Sequence, residues 1–80
     1  MGRGPQLQPP HARAHPILHF LYAKMREADI SRERIAKKLL IDRAQLARIW
    51  RGEAHIRVRD LEKMLKHFGW EITIQRIKEE

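Results

Sequence analysis

Apolar residues recur along this chain at intervals of three and four from Ile17 to Phe68, and at intervals of two beyond it. Ile17, Leu21, Met25 and Ala28 form the first stripe, with Leu18 and Tyr22 on its flank. That spacing places them on one face of an amphipathic helix. Pro16 stands at its start, where a missing N–H costs nothing. Ser31 is an N-cap residue for a second helix, whose buried stripe is Ile35, Ala36 and Leu39. Asp42 caps a third, with Leu46, Ile49 and Trp50 at helical spacing and Gly52 as its terminator. Val58, Leu61, Met64, Leu65 and Phe68 make a fourth stripe that Gly69 closes.

After Gly69 the period changes. Trp70, Ile72 and Ile74 alternate with Glu71, Thr73 and Gln75, the signature of a short strand. A lone strand leaves its ladder N–H and C=O groups without partners, and no second strand is legible in the chain. The pattern therefore predicts pairing with the same strand of another copy across a two-fold axis, through Trp70, Ile72 and Ile74. The plainer alternative is a frayed tail whose Trp70 covers the core. Before the first helix, residues 1–16 hold all four prolines and no acidic residue, which predicts a disordered basic arm. The expected organisation is arm 1–16, helical domain 17–69, strand 70–77 and charged tail 78–80.

Eighty residues suffice for one domain with a small core. The net charge of +7 points to a polyanionic partner, nucleic acid first and an anionic membrane surface second. No cysteine is present, so neither a disulfide framework nor a thiolate metal site is available, as suits a reducing compartment. No apolar run approaches the ~18 residues of a membrane span, and no apolar stretch follows Arg3 to make a secretory signal. These features lead to an expectation of a cytoplasmic protein, associated with the nucleoid through DNA. No Ser/His/Asp set, phosphate-binding glycine loop or paired carboxylates in an apolar setting suggests an enzyme. His15 and His19 lack a third metal ligand, and no cofactor is implied.

Charge and pattern coincide between Ser31 and Gly52. Two short helices meet at a tight turn at Leu40 and Ile41, and Ala36 supplies the small side chain that a close crossing needs; this is a helix-turn-helix. From Ser31 to Arg59 nine Lys and Arg face three acids, a net +6, nearly the whole charge of the chain. The cations cluster on the motif and not opposite one broad apolar face, which argues against a membrane surface. Single-stranded RNA would call for an exposed aromatic platform that the pattern does not offer.

The segment Ser31 to Gly52, with Glu53 and Leu61-Glu-Lys-Met-Leu after it, resembles the phage-repressor and Cro-like helix-turn-helix family, also called the Xre family. The resemblance covers about Ile17 to Gly69. It implies a mainly α, four-helix, lambda-repressor-like domain, to which the residue pattern adds the C-terminal strand paired across a dimer. It also implies a sequence-specific double-stranded DNA-binding regulator, a dimeric repressor acting on a two-fold operator. Family positions matched by Arg43, Ala44 and Arg48 read bases, and those matched by Arg32 and Arg51 hold phosphates.

Chemistry supports these assignments. Arg bonds guanine O6 and N7 bidentately, Gln45 in the same first turn suits adenine, and Ala44 suits a thymine methyl. Arg34 and Arg57 are further phosphate candidates. Two departures from the family carry expectations. Leu40 stands where the family usually has Gly, which predicts a less sharp turn, because positive φ is costly for a side chain. Arg57 replaces a capping Ser or Thr before the fourth helix. The ending Phe68-Gly-Trp-Glu-Ile-Thr-Ile resembles antitoxin-type members, whose strands pair between subunits, and keeps a toxin partner as the alternative function.

Overall fold

A computed structural model describes residues 8–77. Its elements are α1 (Pro16–Ala28), α2 (Arg32–Leu39), α3 (Arg43–Trp50) and α4 (Val58–His67). The four stripes point inward except at their ends: Ala28, at the last turn of α1, and Val58, at the first turn of α4 and 65% exposed, face solvent where the helix runs past its neighbours. Leu18, Leu21 and Met25 of α1, Ile35 and Ala36 of α2, Leu46, Ile49 and Trp50 of α3, and Met64 and Leu65 of α4 are buried together. α2 sits at the centre, packed on both α3 and α4. Ala36 of α2 is 1% exposed in the core that α2 shares with α3, where a larger side chain would not fit without a shift of its neighbours.

Side chains cap the helix starts as the sequence indicates. Ser31 Oγ accepts from the Arg34 N–H and Asp42 Oδ1 from the Gln45 N–H, each at 3.1 Å. At α1 the cap is His15, whose Nδ1 accepts from the Ile17 N–H at 3.0 Å. Arg57 caps α4 with no side-chain hydrogen bond, as expected of a residue without a short acceptor.

The helix ends share one device. After each helix a single residue turns left-handed: Asp29 (φ 56°), Leu40 (φ 59°), Gly52 (φ 79°) and Gly69 (φ 85°). Paired bonds follow each time, for example Leu40 N–H to Lys37 O at 3.3 Å and Ile41 N–H to Ala36 O at 2.8 Å. These are Schellman closures, which satisfy two carbonyls at the end of a helix. The expectation of a blunter turn at Leu40 is therefore corrected: Leu40 adopts the conformation that glycine would supply. Ile41, only 7% exposed, anchors the turn in the core, and Lys63 Nζ donates to Leu39 O at 3.3 Å. These contacts hold the strained residue in place.

Both chain ends depart from expectation. Residues 8–15, read from the sequence as part of a disordered arm, are packed on the domain, with Pro10 and Ala14 buried. Backbone groups, small residues and the polar Arg13 side chain make this contact, so it leaves no hydrophobic periodicity to read. Residues 1–7 of the expected arm lie outside the described residues, as do residues 78–80 of the expected tail. Among the described residues no strand forms, and residues 70–77 are irregular. A ladder needs a second strand, and the described residues of one copy supply none. Trp70 packs its ring edge-on against Phe20, centroids 5.1 Å apart, while Ile74 and Ile77 are exposed. Among the described residues no helix is long and apolar enough to cross a membrane.

Candidate nucleic-acid interface

α3 presents its first turns to solvent. Leu46, Ile49 and Trp50 turn inward, so Arg43, Ala44 and Arg48 are left exposed on the opposite side, with Gln45 half-buried beside them. Arg48 Nη1 donates to Gln45 Oε1 at 3.3 Å. The four residues expected to read bases thus form one outward surface, set by the 3.6-residue period of a helix whose other face is core.

The expected phosphate ligands divide. Arg32 begins α2 and lies half-buried, its guanidinium carbon 5.9 Å from the centroid of the Trp50 ring. Trp50 ends α3, so Arg32 stands on the α3 side of the motif. Arg51, just past Trp50, donates through Nε and Nη2 to the two carboxylate oxygens of Glu53, both at 3.1 Å. That hydrogen-bonded pairing raises the Arg51 pKa, and the hydrogen bond from Arg51 holds the Glu53 carboxyl below the usual carboxylate range. Arg57 is exposed at the start of α4. Arg34 is set apart: with Lys37, Lys38 and His67 it lines an open concavity of about 560 Å³ beside the end of α1.

One contributor escaped the sequence reading. Gln8 O accepts from Trp50 Nε1 at 2.8 Å, the His11 N–H donates to Trp50 O at 2.9 Å, and Arg13 Nε donates to Arg51 O at 3.0 Å. The segment before α1 is therefore bound to the far end of α3. The sole sequence trace of this is Gly52, where a Cβ would collide with Arg13 Cγ.

A helix-turn-helix family model, HTH_3, matches residues 21–75. The chain belongs to this Xre/Cro-like helix-turn-helix family. Neither the curated proteins nor the solved structures gave a match. Family membership makes the chain a DNA-binding transcriptional regulator. In this helix-turn-helix protein, α2 and α3 are the motif. The match begins inside α1, so the packed segment 8–15 lies outside the family pattern.

Proposed function

We propose that this helix-turn-helix protein is a sequence-specific, dimeric repressor of phage-repressor type that occludes a promoter on a two-fold operator. Exposure of Arg43, Ala44 and Arg48 together on the α3 face carries the reading. A helix entering the major groove by its N-terminal turns meets base edges with those residues. Arg43 and Arg48 bond guanine, Ala44 touches a thymine methyl and Gln45 completes the contact. Arg32, Arg51 and Arg57 hold phosphates, whereas Arg34, in its separate concavity, does not share their surface. Two copies join through Trp70, Ile72 and Ile74, and the protein works in the cytoplasm, on the nucleoid.

A second reading rests on Ile72, Ile74 and Ile77, which are apolar and exposed. Such a segment also suits an antitoxin that covers a toxin and regulates its own promoter. Selection of duplexes from a random DNA pool tests the first reading. The expected product is a two-fold sequence with half-sites about one helical turn, ~34–36 Å, apart. A pool with no enriched sequence overturns it.

A further inference from the structure

We propose that residues 8–14 are a C-terminal cap for the reading helix, and that Arg13 is the positioning residue through which this cap sets base recognition. The inference deepens the DNA-reading function and rests on it. A helix ends with C=O groups that have no partner within it. At the end of α3 the Schellman closure satisfies two of them: the Gly52 N–H bonds Ile49 O at 3.0 Å and the Glu53 N–H bonds Arg48 O at 2.9 Å. The next two, Trp50 O and Arg51 O, are satisfied by the His11 N–H and by Arg13 Nε, across 38 residues in the case of Arg13.

The segment is shaped for this task. His11 Nδ1 accepts from the Arg13 N–H at 3.0 Å, which fixes the backbone from which the Arg13 side chain departs. Ala14 is buried in the core and anchors the segment at its other end. The Arg13 stem crosses Gly52 where any Cβ would collide with it. Its guanidinium then reaches Glu53 at 4.0 Å, beside the Arg51 pair. A cation at a helix C-terminus is also favoured by the helix dipole. All of this bears on the element that carries Arg43, Ala44 and Arg48, and base contacts require angular precision that phosphate contacts do not. The cap thus acts on which sequence is read more than on whether DNA is held.

Two variants isolate the effect. Gln carries its amide nitrogen at the same bond count from Cα as Arg Nε, so Arg13→Gln keeps a donor for Arg51 O without the charge. Arg13→Met keeps the stem and loses the donor. Amide hydrogen exchange of the free, full-length protein reads how firmly the cap holds the end of α3. Exchange at Gly52 and Glu53 is expected to be about tenfold faster in Arg13→Met and near wild type in Arg13→Gln. On DNA, the ratio of selected to scrambled duplex affinity is expected to fall about tenfold in Arg13→Met and to be retained in Arg13→Gln.

Unchanged exchange in Arg13→Met overturns the cap. Faster exchange with an unchanged affinity ratio overturns its positioning role. Equal losses on every duplex in both variants, with the salt slope reduced by about one, make Arg13 a direct phosphate ligand and also overturn that role. A wild type that discriminates no duplex overturns the DNA-reading function and the positioning role with it, and the exchange data then still decide the cap.

Discussion

Arg48 donates to Gln45 Oε1 at 3.3 Å, joining two of the long polar side chains of the α3 surface to each other. With its oxygen engaged, Gln45 has its amide N–H groups left to donate, which under the proposed function suits purine N7 or another base acceptor. Arg48→Ala removes the proposed guanine ligand and also frees Gln45 to swing. It is expected to cost about 1–3 kcal/mol on the selected duplex and to relax preference at a defined base pair. Repeating the selection with the variant checks this, and an equal loss on all duplexes contradicts base reading.

Leu40 sits left-handed while 86% exposed, so it bears the backbone cost with little packing in return. That conformation costs an L-residue about 1–2 kcal/mol, and glycine's extra unfolded-state freedom takes back about 0.5–1 kcal/mol. Leu40→Gly is expected to stabilise the domain by about 0.5–1 kcal/mol, with DNA affinity unchanged. Urea unfolding measures the gain as a higher midpoint at constant slope.

Trp50 is 2% exposed, and its indole N–H is satisfied by Gln8 O. Trp50→Phe keeps an aromatic ring in the core but leaves that carbonyl without its donor. A destabilisation of about 1–2 kcal/mol is expected, with a Tm lowered by about 4–8 °C for each kcal/mol. Removing residues 1–8 from the wild type is expected to reproduce part of that loss, and to add little when combined with Trp50→Phe, because both changes break one bond.

Glu53 holds Arg51 by two hydrogen bonds, and under the proposed function a DNA phosphate would have to compete for it. Glu53→Gln is expected to raise DNA affinity and to steepen the logarithmic salt dependence by about 0.9. The pair also has an acid limb. The Glu53 carboxyl is held below its ordinary range, so its contribution to stability is present above the ordinary carboxylate value and fades as pH falls through the depressed one. Wild type and Glu53→Gln are expected to converge in stability on that acid side, which thermal melts across the pH range check.

Ile74 is 97% exposed, and Trp70 seals Phe20. Ile74→Lys therefore spares the packed part of the C-terminal segment while charging its apolar edge. If two copies pair there, sedimentation is expected to show a dimer for the wild type and a monomer for the variant, with binding to the two-fold duplex weakened. A variant that remains dimeric contradicts pairing through this segment.

The helices were legible because their signals are local. Stripes at three and four residues, the caps Ser31 and Asp42, and the terminators Gly52 and Gly69 each operate within one or two turns of chain. Helical periodicity also put Arg43, Ala44 and Arg48 on one outward face, since burial of Leu46, Ile49 and Trp50 leaves them no other side. Tertiary structure decided the rest. Leu40 is left-handed because the contacts of Ile41, Leu39 and Lys63 outweigh its local preference. Arg32 and Arg34, two residues apart, are separated by the turn of α2 and by what packs on each side of it. Residues 8–14 close α3 through backbone carbonyls that no side-chain pattern encodes, because every residue carries the same carbonyl and only the fold brings a donor from 38 residues away to meet it.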